Sequence, residues 1–183
     1  MISHKGTKTI ETDRLILRQA RAEDAQAMFD NWCSDEEVTK YLTWPTHANI
    51  DITKWVVDSW IAGYEKTDFY QWTIVLKELG EPIGTLDVHE LDDSAAKGEI
   101  GYCIGKKWWR KGIMSEALDA VLAFMFEVVG MELLVAHHDT HNPNSGAVMQ
   151  KCGMKFAGII PQGGRNNQGI CDVCRYTLSA EER

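Results

Sequence analysis

The sequence holds no stretch approaching the ~20 consecutive apolar residues of a membrane-spanning helix, so a bilayer protein is not expected. It also lacks a basic surplus. Nineteen Lys and Arg against 27 Asp and Glu leave a net charge of -8. That balance excludes the broad basic face of a DNA-binding protein, and it fits a cationic partner only weakly, because net charge speaks first to solubility. There is no internal repeat, low-complexity tract or linker, and 183 residues with 44% hydrophobic content suit one domain, 1–183, with a substantial core. The opening "MISHKGTKTIETDR" has no apolar core of a secretory signal, so a cytoplasmic location is expected. The cysteines number five, an odd count that reads as free thiols in a reducing compartment.

What is present is a regular alternation of strand and helix signals. "RLILRQA" (14–20) alternates apolar and polar residues as a strand does. Ala25, Met28, Phe29 and Trp32 then share one helical face. Ser34 followed by Glu37 reads as a capping box opening a short helix, and "NIDITKWVVDSWIAGYEK" (49–66) as a third helix with Ile52, Trp55, Val56 and Trp60 in register. Trp55 and Trp60 are thereby assigned to the core. "FYQWTIVLK" (69–77), "IGTLDVHEL" (83–91) and "KGEIGYCIG" (97–105) form a meander. From Met114 the residues Ala117, Leu118, Val121, Leu122, Met125, Val128 and Val129 keep a helical period that Gly130 ends. "MELLVAHHD" (131–139) is a strand, "NPNSGAVMQKCG" (142–153) a helix, and 154–162 with 169–179 a final hairpin around "GGRNNQG". The order predicts an α/β fold: a mixed, mostly antiparallel sheet of about seven strands with helices on both faces.

One segment stands out chemically. In "KKWWRKGIMSEAL" (106–118) a strand ends at glycine and a long helix begins. Free backbone N–H groups and the helix dipole make such a start attractive to anions, and Lys106, Lys107, Arg110 and Lys111 add charge beside it. Gly112 permits close backbone approach. A phosphate or diphosphate is the expected ligand, unless the segment is merely a solvated basic helix start. Neither GxxxxGK[ST] nor GxGxxG occurs, so the P-loop and dinucleotide fingerprints are excluded.

At this point three segments resemble one family. "ETDRLILRQARAEDA", "GEIGYCIGKKWWRKGIMSEAL" and "HNPNSGAVMQKCGM", in that order, are similar to the N-terminal signature, the Q/R-x-x-G-x-G/A loop and the N-x-x-S segment of the GCN5-related N-acetyltransferases, in the branch named for ribosomal-protein N-terminal acetyltransferases. The likeness covers about residues 9–179. It departs at Trp109 in place of Gln or Arg, at Met114 in place of Gly or Ala, where a side chain would crowd a diphosphate, and at Gln150 and Met154.

The resemblance implies an enzyme that binds acetyl-CoA and passes the acetyl group directly to a primary amine in a ternary complex, with no metal. Backbone groups of Trp109, Arg110, Lys111, Gly112, Ile113, Met114 and Ser115 would hold the diphosphate. The strand at Tyr102, Cys103 and Ile104 would pair with the pantetheine arm, and splayed strands 97–104 and 132–139 would form the cleft for the thioester. Glu99 is the first candidate for general base, against the alternative of a solvent-facing carboxylate, with Asp87 and His89 in reserve. Ser145 would protonate the leaving thiolate, or is an ordinary first-turn serine. Asn142 would bond the pantetheine or cap the helix, and Lys151 would meet a CoA phosphate or stay a surface lysine. Trp44 would wall the acceptor pocket. The acceptor would be a protein N-terminus or a small cationic amine, and the chain a monomer or homodimer.

A competing reading takes His137, His138, His141, Cys171 and Cys174 as zinc ligands of a regulatory module without transfer activity, or keeps acyl-CoA binding without transfer. The spacing opposes zinc, because Cys171 and Cys174 fall on opposite faces of a strand, as do His137 and His138.

Overall fold

The computed structural model describes residues 2–183. Eight strands form one sheet in the order β1-β2-β3-β4-β5-β6-β8-β7. They are β1 (Ile10–Glu11), β2 (Leu15–Arg18), β3 (Tyr70–Leu76), β4 (Glu81–Asp92), β5 (Lys97–Ile104), β6 (Leu133–Asp139), β7 (Lys155–Asn166) and β8 (Gly169–Ser179). Every neighbouring pair is antiparallel except β5 with β6. The parallel pair needs a crossover, and α4 (Ile113–Ala123) supplies it. The remaining helices are α1 (Asp24–Met28), α2 (Glu36–Thr39), α3 (Ile50–Gly63) and α5 (Pro143–Lys151).

Side chains alternate across β5 and divide the interior in two. Ile100, Tyr102 and Ile104 join the cluster of α4 and α5 side chains, whereas Cys103 joins Met28, Trp32, Cys33 and Val57 on the α1–α3 side. Helices therefore cover both faces. The interior strand β3 is buried along its whole length, so Gln71 and Thr73 lie inside beside Trp72 and Ile74. A bidentate ion pair ties the first layer to the sheet: Arg18 donates to both carboxylate oxygens of buried Asp24 at 2.7 and 2.9 Å.

Several sequence expectations need correction. Asp35, not Ser34, caps α2 by accepting from the Glu37 N–H, while the Ser34 hydroxyl donates back to the Phe29 carbonyl across a π-helical turn at 29–33. Helix α3 buries Thr53 and Val57 rather than the expected stripe, and Trp55 is 70% exposed. The face bearing Val56 and Trp60 looks into a cavity, although Trp60, half-buried, also packs against the cluster of Met28, Trp32 and Val57 as expected. After Ala123 the long helix continues as a π-helical turn over 124–129, which slips the face by one residue, buries Val129 and leaves Val128 outside. Gly130, at φ 85°, ends it as expected.

Candidate active site

The parallel pairing of β5 and β6 runs from Lys97↔Leu133 to Ile100↔Ala136 and stops. Beyond that point β5 keeps its pairing with β4 as far as Ile104↔Gly84, and β6 keeps its pairing with β8 as far as Asp139↔Val173. A gap opens between Gly101–Ile104 and His137–Asp139, leading into a cavity of about 870 Å³. Antiparallel ladders bond alternate residues. Because the Gly105 N–H continues the β4 ladder by donating to the Ile83 carbonyl, the main-chain groups of Tyr102 and Ile104 face the gap. The Trp109 indole takes the Ile104 carbonyl at 2.8 Å, so this side chain turns back on its own strand. The Cys103 thiol lies on the other face beside Thr85, with burial pushing its pKa up to about 11, and only the backbone of Cys103 serves the strand edge.

Eight residues after β5 the chain enters α4. Gly112 at φ 72° and Arg110 at φ 59° are both left-handed and turn the chain into the helix. Met114 and Ile113 point into the core, so the Met114 side chain does not crowd the loop and only the helix-start backbone is presented. The four basic residues do not act together. Lys106 pairs with Glu37, and Lys107 lies over the Trp108 ring. Two other cations stand there, Lys151, which the resemblance offers for a CoA phosphate, and Arg14, which the sequence does not bring to this point: a side-chain carbon added at Gly112 would lie 3.4 Å from Lys151 Nζ and 3.7 Å from Arg14 Nη2. Arg14 also donates to the Lys111 carbonyl at 3.0 Å and to Glu116 at 2.6 Å. Burial alone would raise the Glu116 carboxyl, but hydrogen bonds from Thr12 and Arg14 hold it below the ordinary range. The negative charge that Glu116 places in the first turn of α4 is thus countered by Arg14.

The wall on the α1–α3 side carries acid–imidazole pairs. Glu99 Oε1 meets His137 Nδ1 at 2.8 Å across β5 and β6, and Asp87 Oδ2 meets His89 Nδ1 at 2.6 Å on β4. Burial raises the Glu99 carboxyl, yet the His137 hydrogen bond and the nearby His137, His89 and Lys97 charges bring it below its usual value. His89 is raised, chiefly by the Asp87 hydrogen bond. Gly101, opposite Asp87, leaves the space this carboxylate fills, since a side-chain carbon there would sit 2.7 Å from Asp87 Oδ1. Trp32, Trp44 and Trp60 line the same cavity, with Trp44 tilted against His47 at 5.3 Å between ring centroids. The tip of the β7–β8 hairpin reaches over: the Asn167 amide donates to the Thr39 and Trp44 carbonyls, both at 2.8 Å. Asp139, at the end of β6, is held by His141 and Asn166.

On the α5 side, Asn142 occupies the N-cap position but makes no side-chain cap bond, so its amide is left to the cleft. The Tyr102 hydroxyl donates to the Ser145 carbonyl at 2.9 Å and lies 3.0 Å from Ser145 Oγ. Burial pushes the Tyr102 phenol well above its ordinary value. Ser115 sits in the first turn of α4, and its carbonyl accepts from the Cys152 thiol. The residues of the zinc reading do not converge. His137 turns to Glu99, His138 lies against Tyr176, His141 bonds Asp139, and Cys171 meets the Asn166 amide. Among the described residues, the group whose ligand atoms approach one another is His89, Glu90 and Glu99, all within 4.8 Å.

The sequence model described as the Acetyltransferase (GNAT) domain matches residues 14–155. The chain is 33% identical over 169 residues to the uncharacterized N-acetyltransferase YoaA of Bacillus subtilis (strain 168), covering 92% of this chain and 95% of that one. Two solved structures share the fold. The ribosomal-protein-S5-alanine acetyltransferase of Vibrio fischeri matches with a TM-score of 0.83 at 17% identity, covering 96% of this chain and 98% of that one. The microcin C7 self-immunity acetyltransferase, solved with acetyl-CoA and AMP, matches with a TM-score of 0.81 at 19% identity, covering 92% and 93%.

Proposed function

The chain belongs to the GNAT acetyltransferase family and is an N-acetyltransferase using acetyl-CoA, and on that premise we propose how its residues divide the work and what the acceptor is. The observation that carries the reading is the gap past Ile100 and Ala136, with the α4 start eight residues after its β5 edge and the Glu99–His137 pair across β5 and β6. The diphosphate is assigned to the main chain of residues 109–115, assisted by Lys151 and Arg14. The pantetheine is assigned to the strand edge at Tyr102–Ile104 and to Asn142, with extended backbone adding to a sheet edge as in strand addition.

For transfer, an acceptor ammonium must shed a proton before its nitrogen attacks the thioester carbonyl. Glu99 orients His137 through Nδ1, leaving Nε2 to take that proton, so the carboxylate expected as the base acts through an imidazole. As the C–N bond forms and the C–S bond breaks, the nitrogen's second proton leaves to solvent and the thiolate takes a proton from Ser145 Oγ–H, which regains one from the Tyr102 hydroxyl 3.0 Å away, itself reprotonated from solvent. The acid-lined wall and its tryptophans support a primary amine with cationic character as acceptor. The Vibrio fischeri relative, whose name gives a ribosomal-protein alanine, supports a protein N-terminus as one form of it. The whole chain, 1–183, is read as one catalytic domain in the cytoplasm.

The test is release of free thiol from acetyl-CoA in the presence of amines. Glu99→Gln should lower kcat by ~100-fold or more while leaving CoA affinity within a factor of about three. A variant with wild-type turnover would remove Glu99 and His137 from the proton path.

A further inference from the structure

One polar group facing this cavity has no role in the mechanism above. Gln71, in the buried strand β3, is 8% exposed, and its Nε2 finds no acceptor among the described residues. Its backbone is fixed at both ends of the peptide unit: the N–H donates to Thr7 Oγ1 at 2.9 Å and the carbonyl accepts from the Tyr64 hydroxyl at 3.0 Å. Only the amide tip is unengaged. An unpaired buried donor is costly and uncommon, and it calls for a partner supplied from outside the protein.

The register places that tip relative to the gap. Gln71 is paired with Asp87, and Asp87 with Gly101, so the three form one row across β3, β4 and β5, and all three line the main cavity. Two strand spacings, ~10 Å, separate the Gln71 backbone from Gly101 at the mouth of the gap, and the Gln71 side chain stands on the same face of the sheet as Asp87, in the same cavity. A group bound a few bonds from the reacting nitrogen therefore falls beside Gln71. Asp87 and Glu99 stand along the same wall, and a carboxylate on the acceptor would meet their charge. A second ammonium would be welcome to those acids but brings only donors, so it would leave the Gln71 N–H unpaired.

We propose that the acceptor is a primary amine carrying a neutral oxygen acceptor, an amide carbonyl or a hydroxyl, next to the amine, and that Gln71 is the residue that reads this oxygen. The inference rests on the transferase reading above and narrows its acceptor. It separates peptide-like amides and amino alcohols from simple alkylamines, diamines and free amino acids.

The experiment compares thiol release from acetyl-CoA with five amines built on one carbon frame: alaninamide, 2-amino-1-propanol, isopropylamine, 1,2-diaminopropane and alanine. For the wild-type protein, alaninamide or aminopropanol should exceed isopropylamine, diaminopropane and alanine in kcat/KM by about tenfold or more. Which of the two leads tells a peptide-type carbonyl from a hydroxyl. Gln71→Met, unbranched and of similar length, should lower kcat/KM for the oxygen-bearing amines about tenfold more than for isopropylamine. The wild-type series needs no variant and decides the question even if Gln71→Met folds poorly. Equal rates across the series, or a preference for diaminopropane or alanine, overturns the proposal and leaves the transferase reading standing. Absence of thiol release with every amine overturns both.

Discussion

Replacing Gly112 by glutamate puts a carboxylate where the α4 start is read to hold a diphosphate. Two terms set the outcome. The first is conformational: φ at Gly112 is 72°, and a residue with a side chain costs ~1–2 kcal/mol in that region. For a chain of this size that lowers Tm by ~2–8 °C, well within what a domain stable by ~5–15 kcal/mol tolerates. The space itself is adequate, since the nearest atoms to an added carbon are the ends of two flexible cations, Lys151 Nζ at 3.4 Å and Arg14 Nη2 at 3.7 Å. The second term is electrostatic. A carboxylate ~4 Å from a phosphate charge, at an effective dielectric of ~20, is repelled by about 4 kcal/mol, or ~1,000-fold in affinity. It would also engage Lys151 and Arg14. Solvent screening reduces the figure, so the expected loss is at least ~100-fold. Gly112→Gln carries the same backbone strain and nearly the same volume without the charge, so the ratio of the two variants isolates the charge. Titration calorimetry with CoA at low ionic strength, beside melting curves, should show both variants folded and only the glutamate variant unable to bind. The difference should shrink at high salt. Glutamate and glutamine variants that bind CoA within threefold of each other would refute the placement of the phosphates at this helix start.

Arg18→Ala strands the Asp24 carboxylate, 4% exposed, without its bidentate partner. Breaking such a pair costs ~3–5 kcal/mol, so Tm should fall by ~6–20 °C, and a fall under about 2 °C would show that the pair does not anchor the first helix layer. Asp139 gives a pH test. Burial opposes its ionisation, but hydrogen bonds from the His141 N–H and the Asn166 side chain hold it below the ordinary range. A depressed folded-state value stabilises above the unfolded-state value and is lost as pH falls through the folded one. The stability gap between wild type and Asp139→Asn should therefore be full at neutral pH and close in acid, below about pH 4. A gap independent of pH would contradict the bonding described.

The strands of the meander, the long helix and the glycine at its start are legible in the sequence because each is encoded locally, in a period or in the conformation only glycine adopts freely. Local pattern fails where an apolar face has something other than core beside it. The stripe of Ile52, Trp55, Val56 and Trp60 is a sound amphipathic signal, yet it faces cavity and solvent, and a cavity wall looks like a core face until the neighbouring elements are in place. The π-helical turn at 124–129 gives no sequence sign and shifts Val128 outward. In the site, Glu99 is reached from the sequence as a candidate base through the family resemblance, but the sequence offers His137 only as a zinc ligand. Its union with Glu99 depends on the parallel register of strands about 35 residues apart, and no periodicity encodes that. Arg14 and Gln71 escaped for the same reason: their meaning comes from Glu116, Asp87 and Gly101, all distant in the chain.

The halt of β5–β6 pairing at Ile100 and Ala136 also bears on how the protein yields. Strands β1–β5 and β6–β8 each form a well-knit ribbon, and the two ribbons are stitched by four residue pairs and bridged by one helix. That stitch is the natural tear line of the sheet. A molecule lying along the open edge lengthens the stitch, so the substrate of such an enzyme doubles as a splint. Amide hydrogens of Tyr102 and Ile104 should then slow their exchange in its presence, while those of the outer strands, whose pairing it does not touch, should not change.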